Sequence, residues 1–140
     1  MRYLLDTNIF IYLSTDRENL SLDVISMLSE SDALLYISAE SVRELIIAYN
    51  SKGLVNKQWK TAEDMVRSIE ETYFVEILPI AKDVMQTYSR LSVNKTMNHK
   101  DPSDHVIISH AMTLGMPLIS SDTRFPYYTR QGLNLIFNEK

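Results

Sequence analysis

The sequence contains no cysteine, so no disulfide framework and no thiolate metal site can form, and zinc held by sulfur is excluded. It also lacks an apolar run long enough to span a membrane. The N-terminal stretch MRYLLDTNIFIYL is broken by Asp6 and Asn8, and no small-residue cleavage site follows. No membrane partner is expected, and the cytoplasm is the compartment that suits such a chain. An excess of positive charge is missing too. The formal net charge of -4 argues against a surface that attracts polyanions as a whole, although a local basic patch or a bound cation can still bring in a phosphate. Repeats, linkers and low-complexity stretches are absent. What remains, 140 residues with 45% hydrophobic content, fits a single domain over 1–140 with one core.

Short β-rich apolar runs alternate with longer segments of helical period, the pattern of an α/β protein whose parallel sheet is covered by helices. Strands are expected at Arg2–Leu5, Leu34–Ile37, Val75–Leu78, Pro117–Ser120 and Leu133–Phe137. Helices are expected at about 7–14, 21–30, 39–52, 58–73, 81–93 and 102–114, with a short piece near 123–130. Gly53 and Gly115 each read as the left-handed residue that closes a helix, and Pro79 and Pro117 as boundaries. Trp59, Met65, Val66 and Ile69 recur at helical spacing and read as core. Any part of that stripe left exposed would offer a groove to a partner helix.

Asp and Glu number 18, and most must simply face water. Four stand apart. Asp6 closes the run YLL and Asp122 follows LISS, so each is expected at the C-terminal end of a buried strand, the edge where open α/β sheets bind ligands. Glu44 has Ile47 at i+3 and Ala48 at i+4, which puts it on an apolar helical stripe and turns it inward. Asp104 shares its face with Ile107, Ile108 and Ala111 by the same geometry. Structural readings compete: Asp101 suits an N-cap with Pro102 after it, and Asp6 and Asp122 each precede a turn they could cap. Glu44 lies too deep in its helix for that. Four carboxylates gathered at one sheet edge repel one another, and a hard divalent cation such as Mg2+ or Mn2+ relieves the repulsion with oxygen ligands. His105 and His110 are five apart, point to different faces and read as structural; His99 is expected to flank the pocket.

LLDTNIFIYL, SAESVREL, DPSDHVIISHA and PLISSDTRF, in this order and spacing, resemble the acidic motifs of PIN-domain ribonucleases, especially the VapC-type toxins of toxin–antitoxin pairs. The resemblance spans essentially the whole chain. It implies a three-layer α/β/α fold around a parallel sheet of about five strands, and catalytic, metal-binding roles for Asp6, Glu44, Asp104 and Asp122. It further implies Asp101 as a supporting acid at the metal, Asn8 as a residue that shapes the pocket, and assistance from Ser121 or Thr123. The activity implied is Mg2+- or Mn2+-dependent cleavage of RNA, with a small antitoxin as partner and frequent homodimerisation. Ser109 and His110 depart from the family pattern, standing where many relatives carry small apolar residues.

The mechanism expected is metal-assisted attack of water on a phosphodiester. Arg43, Lys95, Lys100, Arg124 and His99 are the candidates for contact with the RNA, each adjacent to an acidic motif or its loop. Two other readings remain. A receiver-type signalling domain also gathers aspartates around magnesium, but it needs an acidic pair after its first strand where LLDTN supplies one acid. A non-catalytic PIN-like module that binds RNA or protein would keep the same acids as a structural site.

Overall fold

The computed structural model describes residues 1–140. Its strands are β1 (Arg2–Leu5), β2 (Leu34–Ser38), β3 (Val75–Leu78), β4 (Leu118–Ser120) and β5 (Leu135–Phe137). All pair in parallel, in the order β3-β2-β1-β4-β5. The helices are α1 (Thr7–Thr15), α2 (Leu22–Leu28), α3 (Ala39–Asn50), α4 (Ala62–Glu71), α5 (Lys82–Arg90) and α6 (Pro102–Leu114), with 3-10 turns at Arg17–Asn19 and Pro126–Gln131. No helix is long and apolar enough to cross a membrane.

Strand periodicity divides the apolar residues between two faces. Tyr3, Leu5, Ile37, Val75 and Ile119 point to one side, where they pack on Ile9, Phe10, Val24, Leu45, Met65 and Ile69 from α1 to α4. Leu4 and Leu118 point to the other and meet Ile107, Ile108 and Ala111 of α6, with Phe125 and Tyr128. Helix α5 packs on α6. The result is the three-layer α/β/α arrangement, its sheet buried on both faces, each large apolar side chain contributing about 1.5–3 kcal/mol. The order excludes a receiver-type fold, whose strands run 2-1-3-4-5. Because β2 and β3 extend to one side of β1 and β4 and β5 to the other, the strand order reverses between β1 and β4. Ligand crevices in open α/β sheets form beyond the carboxyl ends of such a pair.

Several boundaries differ from those expected. Helix α4 begins only at Ala62 because Thr61 caps it, its hydroxyl accepting from the Asp64 amide at 3.0 Å. Trp59 precedes the helix, yet is only 6% exposed, and with Met65 and Ile69 it belongs to the core, while Val66 is partly buried against it. At the end of α3 the left-handed residue is Lys52, with φ of 63°, and not Gly53, whose amide donates to the Ala48 carbonyl at 2.8 Å. Gly115 does adopt the left-handed conformation, φ 61°, as the cap of α6. The fifth strand starts at Leu135, since Gly132 turns the chain with φ of 110° and Leu133 is drawn into the α6-side core.

Candidate metal centre

Asp6 follows β1 in extended conformation and caps α1, accepting from the Thr7 amide at 2.8 Å through Oδ1. Its Oδ2 accepts from the Ser120 hydroxyl at 2.7 Å. Ser120 closes β4 one strand away and also accepts from the Asp122 amide at 3.0 Å, so one buried hydroxyl ties the ends of β1 and β4 together. Asp122 in turn caps its own turn, taking the Arg124 amide at 2.8 Å. The structural and functional readings of these two aspartates thus share one geometry.

Helix α6 enters from the other side. Asp101 is its N-cap, accepting from the Ser103 amide at 3.0 Å ahead of Pro102. Asp104 is turned in, 8% exposed, and its Oδ2 meets His99 Nε2 at 2.9 Å and the Arg124 guanidinium at 3.5 Å. From α3, half-buried Glu44 accepts the Thr7 hydroxyl at 2.5 Å. Its upstream neighbour Glu40 is held by Arg43 and by the Ser103 hydroxyl, which relieves the i-4 repulsion. Ile47, one of the residues that suggested an inward face for Glu44, is itself 55% exposed; the acid lies at the margin of the apolar stripe.

Oxygens of Glu44, Asp101 and Asp104 lie within 4.8 Å of one another, and so do ligand atoms of His99, Asp104 and Asp122. Asp104 belongs to both groups. Burial raises the Asp6 carboxyl to about 7, with Asp104 and Glu44 adding repulsion against the hydrogen bonds from Ser120 and Thr7. Asp104 is likewise raised to about 7, first by burial and then by Asp101, Asp122 and Glu44. Glu44 moves up through burial. Asp122 moves down: burial opposes ionisation there, but the hydrogen bonds and charge of Arg124 outweigh it. Three carboxyls are therefore held in surroundings that disfavour their charge, as expected where a cation is to be bound. The donor set is all oxygen beside one imidazole, and Asp104 Oδ1 accepts no hydrogen bond from the protein. Such a set fits Mg2+ or Mn2+.

A family model described as "PIN domain" matches residues 3–131. The chain belongs to the PIN domain family. Among solved structures, this PIN domain is similar to VapBC-1 from nontypeable Haemophilus influenzae, with 25% identity, full coverage of both chains and a TM-score of 0.71. It is also similar to VapBC2 from Rickettsia felis bound to a DNA fragment from their promoter, with 18% identity, coverage of 99% and 100% and a TM-score of 0.73. FitAcB from Neisseria gonorrhoeae aligns at 23% identity, covering 97% and 96%, with a TM-score of 0.63. No curated protein matches the chain.

The PIN fold brings Asp6, Glu44, Asp101, Asp104 and Asp122 to one end of the sheet. The other expected residues divide between the centre and its surroundings. Asn8 and Thr123 are exposed, with no side-chain hydrogen bond. Ser121 accepts from Asn138 Nδ2 at 2.8 Å and is tied to the chain beyond β5; the serine among the acids is Ser120. A strand-end serine facing inward between two motif residues was the available signal for it. Thr7 and Ser103, as hydroxyl donors to Glu44 and Glu40, were likewise not foreseen. Arg43 faces out, paired with Glu40, while Lys95 and Lys100 are exposed and unpaired. Arg124 is no free surface cation: it sits among the acids, with Nε 3.0 Å from Asp122 Oδ1 and a terminal nitrogen 2.7 Å from Oδ2. His99 does not offer an edge to substrate either, being 1% exposed with both ring nitrogens hydrogen-bonded. His105 and His110 are buried; His110 Nδ1 lies 2.9 Å from the Ser38 hydroxyl that caps α3, and Ser109 donates to the His105 carbonyl at 2.7 Å. Those two departures from the family pattern are thereby accommodated within the fold.

Proposed function

We propose that this PIN domain is a metal-dependent endoribonuclease, the toxin of a cytoplasmic toxin–antitoxin pair, that hydrolyses RNA phosphodiester bonds at the acidic centre. One observation carries the reading: at the sheet's reversal point Asp104 has oxygens of Glu44 and Asp101 within 4.8 Å on one side and of Asp122 on the other, and keeps one oxygen free of any protein hydrogen bond. Asp6, Glu44, Asp104 and Asp122 would hold Mg2+ or Mn2+, with Asp101 supporting. Such an ion, when bound, activates water and offsets charge on the phosphate. The chain's own contribution is to fix the acids: Ser120 and the Thr7 amide orient Asp6, and the Thr7 hydroxyl orients Glu44, while Arg124 supplies a counter-charge beside Asp122. Lys95 and Lys100, exposed and unpaired on the loop that carries His99 and leads into α6, are suited to the RNA backbone. A further solved neighbour, VapBC-5 from Mycobacterium tuberculosis, is described as a member of the VapBC family of toxin-antitoxin systems, which supports an antitoxin as partner; a homodimer is to be tested.

The alternative, a non-catalytic PIN module that binds RNA or protein, draws on a different observation. Arg124 and His99 already engage both oxygens of Asp122 and one oxygen of Asp104. Incubating the purified chain with a mixed RNA pool, with Mn2+ or with chelator, and sequencing the ends separates the two. Mn2+-dependent cuts support the nuclease, and an intact pool under both conditions supports the binding module.

A further inference from the structure

His99 is buried although it lies in an exposed loop, and the loop is built to put it there. Asn94 Oδ1 accepts from the Met97 amide at 3.2 Å, the His99 amide donates to the Asn94 carbonyl at 3.0 Å, and Asn98 takes the left-handed conformation, φ 54°, that Asn tolerates better than most residues. The ring that this turn delivers is 4.7 Å from the His105 ring and 5.8 Å from Phe125, centroid to centroid. Its Nδ1 lies 2.9 Å from the Tyr128 hydroxyl and its Nε2 2.9 Å from Asp104 Oδ2.

The order of donors along this chain can be worked out. Tyr128 is fully buried, and its hydroxyl already accepts from the Asn94 amide at 3.0 Å. The single proton it can donate has one acceptor within reach, His99 Nδ1. In neutral His99 the ring proton is therefore on Nε2 and is donated to Asp104. The opposite tautomer would leave the Tyr128 proton without an acceptor in the core and set a nitrogen lone pair against the carboxylate. The distinction has a consequence. An Nε2 that carries a proton cannot serve as a metal ligand, although His99 stands with Asp104 and Asp122 in one group of possible ligands.

We propose that Tyr128 locks His99 in the Nε2–H tautomer and that His99 is a positioning residue, clamping Asp104 Oδ2 so that Oδ1 is left for the cation. The inference rests on the reading of the acidic centre as a metal site. Arg124 reaches the same Oδ2 only at 3.5 Å, the limit of a hydrogen bond, so His99 is the firmer restraint on that carboxylate. Residues that orient a ligand from behind typically govern metal affinity by 10- to 100-fold.

The test has two readings on the intact protein. Nitrogen-15 NMR of the histidine rings at pH 8, metal-free and with saturating Mg2+, should show His99 protonated on Nε2 in both; an Nδ1–H ring, or an Nε2 that becomes coordinated on adding Mg2+, overturns the proposal. Mn2+ titration followed by electron paramagnetic resonance should show affinity weakened by roughly 10-fold or more in His99→Ala. His99→Gln, which keeps an N–H donor but no imidazole ligand, should recover affinity to within about threefold. A native protein that binds Mn2+ while His99→Ala binds it equally well contradicts the positioning role alone. A native protein that binds none contradicts the metal-site reading itself.

Discussion

Arg124 holds both oxygens of Asp122: its backbone amide and Nε converge on Oδ1, and a terminal nitrogen lies 2.7 Å from Oδ2. The same guanidinium stands 3.5 Å from Asp104. A cation is thus already lodged at one side of the acidic centre, where it offsets the repulsion that four converging carboxylates create.

If Arg124 acts as that counter-charge, Arg124→Gln should tighten Mn2+ binding, since a fixed positive charge a few ångströms away opposes a divalent ion, while lowering metal-free stability. The tightening should be on the order of tenfold. Mn2+ titration and thermal unfolding of the metal-free variant check the two effects. Weaker Mn2+ binding in the variant would mean that Arg124 organises the ligands and does not compete with the metal.

Asp6 gives a pH dependence whose sign follows from its surroundings. Its folded pKa, raised to about 7 from 3.8 chiefly by burial, means that the folded state binds more protons than the unfolded state between those values, so this carboxyl lowers stability as pH rises through that window. Asp6→Asn removes the effect. Relative to the native protein, the metal-free variant should gain stability at pH 8, by about 1 kcal/mol or a few degrees in Tm, and the gain should fade by pH 5. Comparing the two proteins at each pH cancels the histidines, which shift in the opposite direction. A gain that is larger at pH 5 than at pH 8 would reverse the assignment.

Asp101 and Asp104 stand three apart, but the structure gives them separate tasks. Asp101→Ala removes an N-cap and should cost about 1 kcal/mol with or without metal, with a milder loss of activity through a displaced helix start. Asp104→Ala should leave the metal-free protein as stable or more stable, and abolish most of the stabilisation by Mn2+. Thermal unfolding of both variants with and without Mn2+ decides it. Loss of the Mn2+ effect in Asp101→Ala and its retention in Asp104→Ala would exchange the roles.

Ser120 is fully buried and serves Asp6 and the Asp122 amide together. Ser120→Ala leaves one buried acceptor and one amide unpaired, so a stability loss of about 1–3 kcal/mol is expected, with reduced Mn2+ affinity because both ligating ends lose their tie. Denaturant unfolding and Mn2+ titration measure these, and unaltered values for both would leave Ser120 without a role at the centre.

The sheet and the acids were legible in the sequence because each rests on a local signal. A run such as YLL ending in Asp6 states both a buried strand and its carboxyl edge, and DPSD states a helix start. Order across the sheet was not legible, because strands of a few residues carry no mark of their neighbours. Hydroxyl partners such as Thr7, Ser103 and Ser120 were missed for a related reason. Their effect depends on the convergence of β1, α3, β4 and α6, and a serine or threonine looks alike on a surface and in a core. Arg124 reads as a candidate for RNA contact because sequence shows adjacency to Asp122 but not the direction of the side chain. Gly53 misled in the opposite way: glycine is the usual left-handed residue, yet here Lys52 takes that conformation.

Asp104 is the residue on which the proposed metal-dependent cleavage of RNA depends. The most direct measurement is cleavage of a mixed single-stranded RNA pool by the native chain and by Asp104→Asn at saturating Mn2+, each beside a chelator control. The native chain is expected to cut only with Mn2+, and Asp104→Asn, folded by circular dichroism, to lose roughly 100-fold or more of that activity. Equal cleavage by the two proteins, or cleavage that persists in chelator, would contradict it.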